Sequence, residues 1–265
     1  MVNKPIIGVA ALIFVLAAVG VYYLKHRNAS TTAVPAVLHS SSPSLSEAGI
    51  EHPLPDASAN STSVAPLPDL AGSDVPLRDA LAQLTGADAV KNYLAPEDLI
   101  RRMVVTIDNL PRQKVAVERR PTSGIGGSFN ATGDELHATL DKQNFDRYKP
   151  MVAVIRRLDM QQLAAIYIRY YPLFQQSYQN LGYPTGYFND RLVHVIDDML
   201  ASPEPKGAVE LVRPNVMYTF ADPALEARSA GQKLLIRMGP ENEETVKAKL
   251  TELRAAVTAA APKRP

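Results

Sequence analysis

Residues Asp159–Leu200 read DMQQLAAIYIRYYPLFQQSYQNLGYPTGYFNDRLVHVIDDML. Leu163, Ile166, Tyr167, Tyr170, Phe174, Tyr178 and Leu181 recur at helical spacing and give one broad, aromatic apolar stripe. Asp159 stands where an N-cap belongs, Gly182 where the chain leaves the helix, and Pro172 is expected to kink it. Beyond a short turn, Asn189 is placed to cap a second helix over Asp190–Leu200, with Leu192, Val195, Ile196 and Met199 as its buried face. Two amphipathic helices in succession make helix packing the organising element of this fold.

The turn between them is the best place to look for a site. Leu181 to Phe188 combines two glycines, a proline and three aromatics, although a helix–helix connection needs only a few polar residues. By residue type, Tyr183, Tyr187 and Phe188 should fold back onto the preceding helix while Arg191 pairs with a carboxylate. The functional alternative is a groove lined by Tyr183, Tyr187, Phe188, Asn189, Asp190 and Arg191 that takes a peptide or a glycan. Asp190, His194 and Asp198 follow at four-residue intervals on one side of the second helix. Such a row could hold a metal ion or supply an acid and a base, but it is also what a solvated helix face shows, so it is only a weak metal candidate.

Working outward, the chain stays helical. Asp74, Pro76 and Gly86 punctuate a first helix, with Asp74 as the expected N-cap; a short one follows through Leu94, and Leu99 to Leu110 form a third. Residues 111–140 are irregular, with an extended piece near Phe129. The glycines of SGIGGSFNATGDE match no phosphate-binding pattern. Phe145 to Leu158 is helical around Pro150, an expected bend or break, and VELVRPNVMYTF reads as a β-hairpin. DPALEARSAGQKLLIRMG and PENEETVKAKLTELRAAV close the domain as two helices meeting at Gly239-Pro240. The expected fold is therefore mainly α: a single helical domain over 73–258 with a small hairpin and a disordered tail over 259–265.

Ahead of it lie two different segments. Pro5 to Leu24 carries no charge, and as a helix it would span roughly 30 Å, enough for a bilayer core. It is longer than a signal-peptide apolar region, and no good cleavage site follows it, so it reads as a transmembrane helix over 5–24 that remains as an anchor. Residues 25–72 read as a disordered linker, because between Asn28 and Gly72 there are six prolines, nine serines and no Lys, Arg or aromatic residue. Lys4 before the span and Lys25, His26 and Arg27 after it give no clean orientation, but the absence of Lys and Arg from Asn28 to Gly72 favours an inner-membrane, single-pass orientation with the bulk of the chain in the periplasm.

Composition narrows the function. The chain has no cysteine and a formal net charge of +1, which removes disulfides, thiol catalysis and an electrostatic footprint for nucleic acid. No cofactor motif is present. The strings MVVTIDNLPRQKVA, NLGYPTGYFNDRLVHVIDDMLASPE and LVRPNVMYTFADPALEARSAGQKLLIRMGPEN resemble domain-of-unknown-function family 3014, membrane-anchored bacterial envelope proteins without an assigned activity. The resemblance covers most of Ser73 to Ala256 and implies an address and an architecture, with no catalytic residues. Three functions compete. The first is a membrane-tethered periplasmic binding or scaffold module that engages an envelope protein or peptidoglycan through Tyr183–Arg191. The second is an envelope-polymer hydrolase or transferase that uses Asp190, His194 and Asp198. The third is a structural homo-oligomer joined by the C-terminal helices.

Overall fold

The computed structural model describes residues 49–54, 66–113, 119–122, 125–134, 138–214 and 217–259. The run Pro5–Leu24, most of the linker and the tail after 259 lie outside these residues. Among the described residues, no helix is long and apolar enough to cross a membrane.

The domain is mainly helical, in the order α1 (Asp74–Thr85), α2 (Ala87–Tyr93), α3 (Leu99–Asn109), β1 (Ala131–Thr132), β2 (Ala138–Leu140), α4 (Gln143–Arg156), α5 (Met160–Asn180), α6 (Phe188–Leu200), β3 (Glu210–Val212), β4 (Thr219–Phe220), α7 (Pro223–Glu226), α8 (Ala230–Met238) and α9 (Pro240–Thr258). Helix α9 packs against α4, α5, α6 and α8, while α3 lies across α5 and α6. The aromatic stripe of α5 meets Leu192, Val195, Ile196 and Met199 of α6 and Val246, Leu250 and Leu253 of α9 in one large core. These side chains are buried because the apolar period of each helix matches the helical turn, except that Ile166 is half-buried and Leu181, at the C-cap of α5, is exposed.

Several local expectations change. The hairpin over 210–220 belongs to an antiparallel four-stranded sheet in the order β1-β2-β3-β4. Its inner face forms a second small cluster of Ala138, Leu140, Leu211 and Phe220, sealed by Ile236 of α8. Pro150 and Pro172 lie within continuous helices. Both prolines are on exposed positions, where water can meet the carbonyl each leaves without its helical partner. The stretch 223–238 is two helices, because the Ser229 hydroxyl accepts from Gln232 N and starts α8 afresh.

Asp74 lies inside α1 and serves a different helix. Its carboxylate accepts the main-chain N–H of Asp98 at 2.7 Å and of Leu99 at 2.8 Å, which fastens the start of α3. Asp98 there holds a left-handed φ of 56°, so this clasp supports a conformation that non-glycine residues rarely adopt. At the α8–α9 junction Gly239 has a φ of +83°, and a Cβ on it would run into the Phe145 ring. Asp159 caps α5 as expected, accepting from Gln161 and Gln162 N–H groups.

Parts of the linker tract are structured. Leu67 and Leu70 pack on the main core ahead of α1, and Leu54 packs there too. Residues 49–54 lie against the turn between α5 and α6, more than 130 positions away in sequence.

Candidate functional site

The site is built on the aromatic face of α5. Tyr171 and Gln175 sit one turn apart there, and the Tyr171 hydroxyl donates to Gln175 Oε1 at 2.9 Å. The Gln175 amide then holds both sides of the following turn. Its Nε2 donates to Gly186 O at 2.7 Å, and its Oε1 accepts the N–H of Phe188, the first residue of α6, at 2.8 Å. One side chain thus fixes the exit of the turn and satisfies an amide that the helix start leaves free.

The aromatics do fold back. Tyr183 stacks on Tyr178 with ring centroids 4.5 Å apart. Phe188 is fully buried between Phe174, Tyr178 and Tyr167. The Tyr187 ring tilts against Tyr171 at 5.5 Å. Arg191 also finds a carboxylate: its Nε lies 3.1 Å from Asp108, whose side chain is only 3% exposed. Arg112 pairs with the same carboxylate at 2.7 Å, and the Tyr183 hydroxyl donates to it at 3.3 Å. A buried carboxylate held by two guanidiniums pins the turn to the end of α3.

Asn189 is the largest departure from expectation. It lies one residue inside α6, fully buried, and Tyr187 takes the N-cap position. Its Oδ1 accepts from the Tyr167 hydroxyl at 3.2 Å, and its Nδ2 donates to Val257 O at 3.3 Å and to His52 O at 2.8 Å. Both amide hydrogens and the carbonyl are engaged, as burial demands.

The remaining polar groups of this corner meet the main chain of residues 51–54. The Asp190 carboxylate accepts from Glu51 N at 3.1 Å and from His52 N at 2.7 Å. The Tyr187 hydroxyl accepts from Leu54 N at 2.9 Å. With the bond from Asn189, four hydrogen bonds read the backbone of a short segment that bends at Glu51 and His52. Burial lifts the Tyr171 and Tyr167 phenols well above the usual tyrosine range, with neighbouring hydroxyls and Asp190 adding to it. These hydroxyls therefore keep their protons and act as donors in the network.

The row Asp190, His194, Asp198 does not converge. Asp190 faces residues 51 and 52, and His194 is exposed. Asp198 accepts from Ser229 Oγ at 2.7 Å and from Gln232 Nε2 at 3.1 Å, inside the fold. Among the described residues no group of three or more His, Cys, Asp or Glu is placed to hold a metal ion.

Of the six candidates, Tyr187, Asn189 and Asp190 touch the docked segment, while Tyr183, Phe188 and Arg191 hold the corner in shape. Sequence reasoning missed Gln175, Tyr171, Tyr167 and Asp108. The Tyr171–Gln175 pair had a visible signal in its i, i+4 spacing. The segment 51–54 had none beyond a proline followed by a leucine.

Fold and site together define a mainly helical domain with a small sheet and a polar corner that holds a peptide main chain. The family model described as "Protein of unknown function (DUF3014)" matches residues 99–254, and the chain belongs to that family. The match contains Tyr183–Arg191 and leaves residues 49–54 outside. Neither the curated proteins nor the solved structures gave a match.

Proposed function

We propose that this chain is a membrane-tethered periplasmic module that binds or scaffolds an envelope partner at the first turn of α6. The observation that carries the binding half is the set of four hydrogen bonds from Tyr187, Asn189 and Asp190 to the backbone of residues 51–54. A surface that satisfies main-chain N–H and C=O groups with side chains is chemically suited to a peptide. The tether half is supported by the uncharged run Pro5–Leu24 and by the Pro/Ser-rich composition after it. The hydrolase or transferase reading finds no comparable support, since Asp190 and Asp198 have separate polar duties.

Photo-crosslinking in cells tests the binding half. A photoreactive residue replaces the exposed Pro184 of the full-length chain, and the adducts are identified by mass spectrometry. An envelope protein captured by this chain and lost when Asp190→Ala and Tyr187→Phe are added is the expected result. Equal capture by both chains would overturn the proposed surface. A reporter enzyme fused at the C-terminus tests the address: activity confined to the cytosol would remove the periplasmic assignment.

A further inference from the structure

The corner on α6 already has an occupant, and its chemistry describes the partner. Glu51, His52 and Leu54 each donate a main-chain N–H to Asp190 or Tyr187, and His52 also accepts from Asn189. Pro53, between them, has no N–H to satisfy. Leu54 adds an apolar anchor, since its side chain packs on the main core. The pattern is two donating residues, a proline and an apolar residue that also donates, read through the backbone with one side-chain anchor.

We propose that residues 51–54 are an intramolecular stand-in for the peptide this site binds, and that a partner protein's proline-containing segment must displace them. This rests on the reading above that the first turn of α6 is a binding surface. Three features support it. The contacts are almost wholly to the main chain, so a different sequence with proline at the third position can make them. The side chains that bond residues 51–54, Tyr187, Asn189 and Asp190, all belong to α6 or its N-cap, so their backbone stays in place when the segment leaves. The packing that shapes the corner (Tyr183 on Tyr178, Arg191 on Asp108, Gln175 across the turn) does not involve residues 49–54.

Cis occupancy has a quantitative consequence. Joined to the domain through residues 55–65, the segment acts at an effective concentration on the order of millimolar. An identical segment from a second copy competes poorly against that. The partner fitted by the site is therefore a different protein, one whose apolar residues add contacts beyond position 54 or whose binding is helped by tension on the tether. The arrangement sets a threshold, and weak or incidental peptides are excluded.

The test measures binding of a fluorescein-labelled peptide, GIEHPLP (the sequence of residues 49–55), by anisotropy. Two full-length chains are compared in the same detergent: wild type and one lacking residues 50–54. The expected result is at least tenfold tighter binding to the deleted chain, reversed at least tenfold by Asp190→Ala in that background. If both chains bind equally and Asp190→Ala weakens both, the surface takes peptides but the chain's own segment does not guard it, and this inference is overturned while the binding reading stands. Saturable binding to neither chain, or binding indifferent to Asp190→Ala, overturns both. A peptide with alanine in place of the proline is expected to bind several-fold more weakly, and equal affinity would remove the proline from the recognised pattern.

Discussion

At the first turn of α6, Asp190 presents its carboxylate to the main-chain amides of Glu51 and His52. About two turns further along the same helix, Asp198 holds the Ser229 hydroxyl and the Gln232 amide. The residue type, the helix and the number of accepted bonds are similar, yet the consequences differ. Asp198 joins α6 to the cap of α8, so its bonds close the fold itself. Asp190 joins α6 to a segment outside the helices and the sheet, which also meets Tyr187, Asn189 and, through Leu54, the main core. A carboxylate between two elements of the core contributes to stability, whereas one facing residues 51–54 serves, on the proposed reading, for recognition. Beneath both ends lies the same apolar seam, and Phe188 belongs to it.

That seam sets the largest effect. Phe188 is 0% exposed and touches three aromatic rings, so Phe188→Ala should cost about 3–5 kcal/mol in chemical denaturation. A loss below about 1 kcal/mol would mean that the N-terminal end of α6 is soft throughout, and the contrast with the C-terminal end would lose its basis.

Alkaline titration sharpens the same point without mutation. Burial pushes the Tyr178 phenol up to about 12 from an ordinary value of 10.0. Tyr171 and Tyr167 move in the same direction. A group whose folded pKa is raised contributes stability that is fully present below its unfolded value and lost as pH climbs through the folded one. Stability should therefore fall between about pH 10 and about pH 12. Tyrosinate absorbance and far-UV circular dichroism should change together there. Phenols that ionise near pH 10 with the helices intact would show that the aromatic corner is open to solvent.

The paired test is Asp198→Ala against Asp190→Ala. Removing Asp198 takes away the acceptor of the buried Ser229 hydroxyl and one of the two that Gln232 Nε2 meets, its bond to the Asp198 carbonyl remaining, an expected loss of about 1–3 kcal/mol. Removing Asp190 should change global stability by less than about 1 kcal/mol. It should instead speed hydrogen exchange at the amides of Glu51 and His52. Equal destabilisation by the two variants would dissolve the distinction between a closing and a recognising carboxylate.

How far the sequence anticipates this depends on the range of the interaction. The apolar faces of α3, α5 and α6 were legible because each repeats within a few residues, and every α6 position expected inside (Leu192, Val195, Ile196, Met199) is buried. The Asp159 cap and the Pro240 start of α9 are equally local. Long-range pairings were not legible. Asp74 fastens a helix 24 positions away, and β2 joins β3 across about 70 residues that include the three helices α4, α5 and α6. Asn189 has a capping residue's composition, yet it was drawn inside α6 by partners on α5, α9 and the docked segment. The candidate site was found through its surplus of aromatics in a turn. Its occupant was hidden because a Pro/Ser-rich stretch carries no period, and three residues that bond through their main chain leave almost no trace in side-chain pattern.

His194 should show the smallest effect, and it also decides between recognition and catalysis. It lies between Asp190 and Asp198 on α6 and is exposed, with both carboxylates turned to other partners. Alanine is the better helix former, so His194→Ala should leave the unfolding midpoint unchanged or slightly higher, within about 0.5 kcal/mol. Affinity for the GIEHPLP peptide in the chain lacking residues 50–54 should be unaltered, because the segment's contacts run through Tyr187, Asn189 and Asp190. An acid–base role makes the opposite demand: the imidazole would then be indispensable while stability stayed the same. Incubating the wild-type and His194→Ala chains with isolated envelope polymers and assaying released fragments separates the two. Fragments that vanish with the imidazole would place chemistry in the middle of α6, between Asp190 and the Asp198 bonds that close the fold.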